Sequence, residues 1–431
     1  MKRERRMNAE QKRLEAQRTG AENWRLWGPY LSERAWGTVR EDYSAHGDAW
    51  EHFSHDHARS RAYRWNEDGL GGLSDEQQRL CFALALWNGR DPILKERAFG
   101  LTGNEGNHGE DVKEYYFYVD ATPSHSWLRY LYKYSQSAYP YERLAAENRR
   151  RGRGDPPFNL LDTGVFDEDR YWDVEVLCAK ASPKKIHVRI EACNRGPEPG
   201  TLHLLPSLWF RNTWSWGEST EKPALRGIPA PTSAAWAIRA DHPTLGNYHL
   251  YGRQPGELLF SENETNTERL WGVPNAAPYV KDAFHRRVIA GDVAAVDPDR
   301  SGTKFAAWHA CEIAPGQSAR LDLVLSAEPL SAPFARHEVV FSQRRSEADE
   351  FFDAADAETV ATIKELIETR VRPAVANDGG DITFKGFKDG VVYLNMKGAC
   401  SGCPSSTATL RHGIQNLLRH FLPDVTEVRP M

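Results

Sequence analysis

Cys400 and Cys403 fall in the run Gly398-Ala399-Cys400-Ser401-Gly402-Cys403-Pro404-Ser405-Ser406. A Cys-x-x-Cys pair in a reducing compartment is more often metal-binding or redox-active than structural. A free thiol titrates near about 8.5, and a helix N-terminus lowers that value by stabilising thiolate, the form that ligates iron. Gly398 and Gly402 let backbone approach a bulky ligand, and their amides can donate to cluster sulfides. Pro404 lacks an amide hydrogen and suits a first helical turn. By itself the pair is compatible with half a zinc site, a redox dithiol or two ordinary cysteines. A [4Fe–4S] cluster takes four thiolates, so two chains sharing one cluster would complete its ligand set. A zinc ion shared in the same way stays open. A dithiol is less favoured, because no full thioredoxin-like βαβ arrangement surrounds the pair.

The elements around the pair are legible. Val360, Ile363, Ile367 and Val371 recur at helical spacing. Pro373 and Asn377-Asp378-Gly379-Gly380 end that helix in a tight turn. Asp381–Phe387 and Val391–Met396 read as strands joined by Lys388-Asp389-Gly390, a hairpin signal. Leu410, Ile414, Leu417, Leu418 and Phe421 form the stripe of a second helix, and Val425–Val428 a last strand. The unit is α-β-β-α-β, with the cysteines on a glycine-containing loop between a strand and a helix.

This segment, 357–431, is similar to the NifU C-terminal (Nfu-type) domain. The match rests on Val371-Arg372-Pro373, Asp378-Gly379-Gly380-Asp381 and Lys397 to Ser406, continued by Thr407, Leu410, Gly413 and Ile414. The resemblance implies an iron–sulfur cluster, [4Fe–4S], assembled between Cys400 and Cys403 of two chains in a homodimer. It also implies cluster donors, and transfer to apo-proteins rather than catalysis.

The rest of the chain differs in composition. All 14 tryptophans lie between Trp24 and Trp308, and residues 357–431 hold a single tyrosine, Tyr393. The charged stretch Arg344–Glu350 separates the two regions, and Ser342–Ala355 reads as a short charged helix or linker. The expected division is 1–345, a linker at 346–356, and 357–431. Alternation in Ile186–Ala192 and Leu321–Leu325 marks strands. Leu202–Leu205, Tyr248–Tyr251, Phe305–His309 and Tyr115–Val119 are further strand candidates, and helix is expected only at Asn8–Arg18 and Ser126–Tyr134. Pro, Gly and Asn turns at short intervals suit a large sandwich. The fold class is therefore multidomain, a large mainly-β supersandwich followed by a small α/β unit.

Aromatic–polar runs stand out at Trp27–Tyr43, Arg61–Gly69, Gly103–Asp111 and Trp209–Trp216. Flat rings and forked polar groups are sugar-site chemistry, although such aromatics more commonly fill a sandwich core and its rim. With Leu161–Phe166 and Glu262–Asn266, these runs resemble the N-terminal portion of bacterial glucosidase-like proteins of glycoside hydrolase family 63. That family joins a β-supersandwich to an (α/α) barrel carrying the acid and base carboxylates. The chain is expected to stop where the barrel begins, so catalysis is not expected, and oligosaccharide binding by the sandwich stays open. Glu33, Glu41, Asp42, Glu110 and Asp111 receive no acid–base role.

Weaker features read blandly. His52, His55 and His57 suit a polar loop, Arg149–Arg153 a solvated basic loop, and Asn263-Glu264-Thr265 is an acceptor sequence without a secretion signal. Cys81, Cys178, Cys193 and Cys311 read as buried small hydrophobes. With 40% hydrophobic and 27% charged residues, the composition is that of a soluble globular protein. A net charge of −5 argues against a nucleic-acid partner. No apolar run is long enough to span a membrane, and the charged start lacks a signal-peptide core. The expected compartment is the cytoplasm.

Overall fold

The computed structural model describes residues 7–30, 54–63, 68–101, 105–106, 111–217, 221–377, 380–388, 390–398 and 404–430. The chain forms two compact units. The larger is Lys12–Arg345, and the smaller is Ser346–Met431 together with Met1–Gln11.

The larger unit holds two main sheets. One has the strand order Trp27–Tyr30, Leu70–Asp75, Leu80–Trp87, Gly200–Phe210, Lys304–Ile313 and Glu257–Ser261. The other runs Ser301–Gly302, Ala224–Ile228, Trp236–His242, Gly246–Gly252, Ser318–Ser326, Lys185–Asn194, Tyr171–Ser182, Trp127–Ser135 and Tyr115–Ala121. Their inner faces share one core, in which Phe82, Leu84, Leu204 and Leu208 meet Tyr132, Val174, Val188 and Leu323. Alternate side chains of a strand point to opposite faces, so Ile186, Val188 and Ile190 enter that core together. All the strand candidates read from alternation are strands.

Trp127–Ser135 is a strand, not the helix expected at Ser126–Tyr134. Tyr130, Tyr132 and Tyr134 are buried while Leu128, Arg129, Leu131 and Lys133 are half-exposed, a period of two that aromatic residues favour in sheets. Helix does form at Ala9–Arg18, and also at Tyr141–Arg150 and Ala283–Ile289, where none was expected. Residues 346–356, read as a short charged helix or linker, are helical, inside the 30-residue helix His337–Leu366. Nothing between His337 and Leu366 is Gly or Pro, and the charged run there is rich in helix-forming Glu, Arg and Ala.

The smaller unit is α-β-β-α-β over its C-terminal part. After Leu366, a turn with π-type bonding, Ile367–Val371, leads into Arg372–Asn377. The strands Gly380–Lys388, Val391–Gly398 and Glu427–Pro430 lie in that order, the first pair antiparallel and the second parallel. Helix Pro404–Phe421 connects the last two. Ile363, Ile367 and Val371 pack with Ile382, Leu394, Ile414, Leu418 and Val428. Phe421, placed on the buried stripe by spacing, is instead 42% exposed, with the Arg370 guanidinium 5.0 Å from its ring centre.

Candidate functional sites

In the smaller unit, residues 399–403 join the end of the central strand, Gly398, to the first residue of an 18-residue helix, Pro404. A helix start presents backbone N–H groups without intrahelical partners and the positive end of the helix dipole. Cys400 and Cys403 themselves lie outside the described residues, as do Asp378 and Gly379. What is described is the frame on which they hang. Gly390 turns the hairpin with φ +75°, and its carbonyl accepts from Thr426 N at 2.8 Å and Thr426 Oγ1 at 3.1 Å. Gln415 Oε1 accepts from Val428 N at 3.1 Å, tying the helix to the last strand. The four remaining cysteines are free thiols, Cys81 and Cys178 buried, Cys193 and Cys311 only half-buried. Burial pushes the Cys178 thiol up to about 12, far from a reactive thiolate.

In the larger unit, among the described residues, the run Trp209–Trp216 meets Glu262–Asn266. Asn212 Nδ2 donates to Asn263 O at 2.8 Å, and Asn263 Nδ2 returns a bond to Phe210 O at 2.9 Å. Trp214 Nε1 and Lys222 Nζ both donate to Glu264, at 2.8 and 2.7 Å, and Lys222 also reaches Glu262 at 3.0 Å. Asn263 is therefore a buried structural amide. Ser60 and Asn266 donate to Asp282, and Arg269 to Ser60 and Asp56, so this face is a lattice of paired groups.

Behind it lie charges that sequence reasoning did not single out. Lys95 Nζ meets Glu114 Oε1 at 2.6 Å with both side chains fully buried, and Tyr132 donates to the other carboxylate oxygen at 2.7 Å. The Lys95 ammonium sits 3.9 Å from the Tyr139 ring centre. Asp68 pairs with Lys281 at 2.8 Å and Arg97 at 3.0 Å, and Glu96 with Lys304 at 2.6 Å. Burial pushes Asp68 up, but Lys281 and then Arg97 outweigh it and hold the carboxyl below its ordinary value. Burial pushes the Asp91 carboxyl up; Tyr134 and Tyr141 donate to it at 3.1 and 3.2 Å. No signal in a lone Lys or Glu between apolar residues separates these groups from surface charges.

His55, expected on a polar loop, is half-buried with its ring against Phe99 and Tyr141, and loss of solvent pushes it well below its ordinary value. His57 is exposed on the same helical turn, and His52 lies outside the described residues. Glu33, Glu41, Asp42 and Glu110 lie outside them too. Among the described residues no cluster of His, Cys, Asp and Glu could hold a metal ion, and no helix is long and apolar enough to cross a membrane.

Residues 363–429 match the NifU-like domain family. The human protein named NFU1 iron-sulfur cluster scaffold homolog, mitochondrial, is 55% identical over 73 residues, 17% of this chain and 29% of its own. NifU-like protein 4, mitochondrial, of Arabidopsis thaliana is 47% identical over 113 residues, 26% of this chain and 37% of its own. The Saccharomyces cerevisiae protein YMR196W is 38% identical over 388 residues, 80% of this chain and 35% of its own. A match of that extent must fall chiefly on the larger unit. The chain spans about a third of the length of these relatives.

Proposed function

We propose that the protein is an iron–sulfur cluster scaffold or carrier. The observation that carries this reading is the match of residues 363–429 to the NifU-like domain family. Relatives named as iron–sulfur cluster scaffolds support it. In the proposed site Cys400 and Cys403 of each of two chains ligate one [4Fe–4S] cluster as thiolates, and the cluster is cargo passed on to apo-proteins. The helix start at Pro404 would favour thiolate at the neighbouring Cys403. The working division is 1–345, 346–356 and 357–431, the compartment the cytoplasm, and the role non-enzymatic.

The test is iron and sulfide content after anaerobic reconstitution of the full-length protein. About two irons and two sulfides per chain are expected, one cluster per dimer. Cys400→Ala and Cys403→Ala should each abolish cluster retention while circular dichroism stays that of the parent. Full iron loading of either variant would sink the assignment.

A second reading concerns the larger unit. Its segments at Arg61, Trp209–Trp216 and Glu262–Asn266 meet on one face, and they are among the runs on which the resemblance to family 63 glucosidase-like proteins rests. Carbohydrate binding without hydrolysis is the activity this reading assigns to that unit.

A further inference from the structure

We propose that His187 and His337 form an acid-sensitive clasp, which holds the first turns of the helix His337–Leu366 on the larger unit and releases them as the pH falls. His187 stands on strand Lys185–Asn194 and His337 opens the helix, and neither residue is more than 1% exposed. Their Nδ1 atoms face each other at 2.9 Å. His337 Nε2 lies 3.1 Å from Asp322 Oδ1, off the line of a full hydrogen bond, and His187 Nε2 is buried with no partner. Val340 and Phe341 are the apolar part of the seat, and Arg344 Nε donates to Lys180 O at 2.6 Å. The larger unit ends at Arg345, inside this helix, so the clasp sits where that unit holds the element leading out of it.

Counting protons shows why such a pair resists acid. A neutral imidazole carries one N–H and an imidazolium two. With Nδ1 against Nδ1, a single hydrogen lies between the rings, since two would meet head-on. The neutral pair is satisfied by that hydrogen and by one on His337 Nε2, towards Asp322. A further proton falls on His187 Nε2, which is buried and has no acceptor. Beyond that the closed clasp takes none. Once the helix start lifts away, both rings meet water and each can carry its full complement, so opening takes up protons.

The surrounding charges act in the same direction. Asp322 is engaged by Arg189 at 3.0 Å, Arg320 at 2.9 Å and Arg253 at 3.2 Å. Glu338, next to His337 on the helix, bonds Arg189 at 2.6 Å and also Arg320. Lys185 and Arg336 add positive charge on the His187 side, while Glu328 acts on Lys185. Lys180, on the neighbouring strand, spends its amine on the carbonyls of Trp24 and Trp27. Tyr251, on the next strand but one, stays an uncharged phenol because burial pushes it up. Cations thus outnumber carboxylates around the rings. Burial, then His337 and Lys185, push His187 down to about 3 against the pull of Asp322. The detached ring titrates near about 6.5. A depressed folded value means that the clasp is fully closed above that pH and weakens as the pH falls below it.

Hydrogen exchange of the full-length protein between pH 6.5 and 4.5, read by mass spectrometry and corrected for the intrinsic rate at each pH, tests the clasp. Opening of the segment 337–345 is expected to rise about tenfold for each pH unit lost, one proton being taken up per opening. Strand Lys304–Ile313, in the core of the same unit, should keep its protection over that range. His187→Asn removes the titrating ring but leaves an amide to face His337, and it should flatten the rise by about the same tenfold per unit. Opening that stays constant with pH, or that rises equally in His187→Asn, overturns the proposal. Loss of protection in segment and strand together also overturns it, because that is unfolding of the unit and not release of the helix. This last comparison needs only the parent protein, so the proposal is decided even where the variant fails to fold.

Discussion

Lys95 and Glu114 meet at 2.6 Å where neither side chain touches water. Removing one partner of such a pair leaves an uncompensated buried charge and typically costs about 3–5 kcal/mol, whereas removing both is far milder. Lys95→Met should therefore lower the stability of the larger unit by about that amount, and Lys95→Met with Glu114→Gln should recover most of it. Urea unfolding of the three proteins measures this; equal destabilisation by the single and double variants would refute the pairing. Residue-level legibility was uneven for a physical reason. Cys400 and Cys403 stand out in the sequence because the site proposed for them is defined by local spacing. The Lys95–Glu114 and Asp68–Lys281 pairs depend on strands and loops distant in sequence, and charged residues read singly look like surface.

At the scale of elements, the hairpin between Lys388 and Val391 shows how local chemistry fixes geometry. Gly390 adopts φ +75°, which side-chain-bearing residues populate only with strain. A Cβ there would also come within 2.9 Å of the Asp424 carbonyl oxygen and 2.8 Å of Thr426 Oγ1. Gly390→Ala should destabilise the smaller unit by about 1–2 kcal/mol, from left-handed strain before any clash. Hydrogen exchange at Val392 and Leu394 would report it, and unchanged protection there would refute it. This hairpin was legible from its Asp-Gly turn. Trp127–Ser135 was not, because a stretch of Trp, Leu and Tyr suits helix or strand until neighbouring strands select its period of two. The helix His337–Leu366 likewise hides in its charged run, which spacing alone cannot separate from a linker.

At the scale of the whole molecule, histidines partly or wholly withdrawn from solvent should contribute to the acid side of the stability profile. Burial, then the neighbouring His337, pushes His187 down to about 3. Burial, then Arg59, pushes His285 down to about 4, while His55 is lowered by burial and by Lys95. Unfolded, each would titrate near about 6.5. Their folded values are depressed, so the neutral folded form contributes fully above pH about 6.5. That contribution is lost as the pH falls towards the folded values. Each such histidine should subtract about 1.4 kcal/mol per pH unit in that window. Denaturation midpoints between pH 6.5 and 4.5 should fall, less steeply in His187→Asn and His285→Asn; identical slopes in variants and parent would refute the linkage. The broad architecture, a mainly-β part followed by a small mixed unit, could be read from tryptophan usage and alternation. The polar interior could not, since it exists only once the sheets have closed.

That interior has a consequence for the chemistry of time. Lys95, Lys180, Lys281 and Lys304 are each at most 2% exposed. Their amines are spoken for by Glu114, the carbonyl oxygens of Trp24 and Trp27, Asp68 and Glu96 respectively. An acylating agent reacts only with an amine it can reach in its free-base form, so none of the four is a substrate while the sandwich is shut. Any acyl group found on them was acquired before folding or during an excursion from the native state, and such marks accumulate as a ledger of how often this molecule has come open.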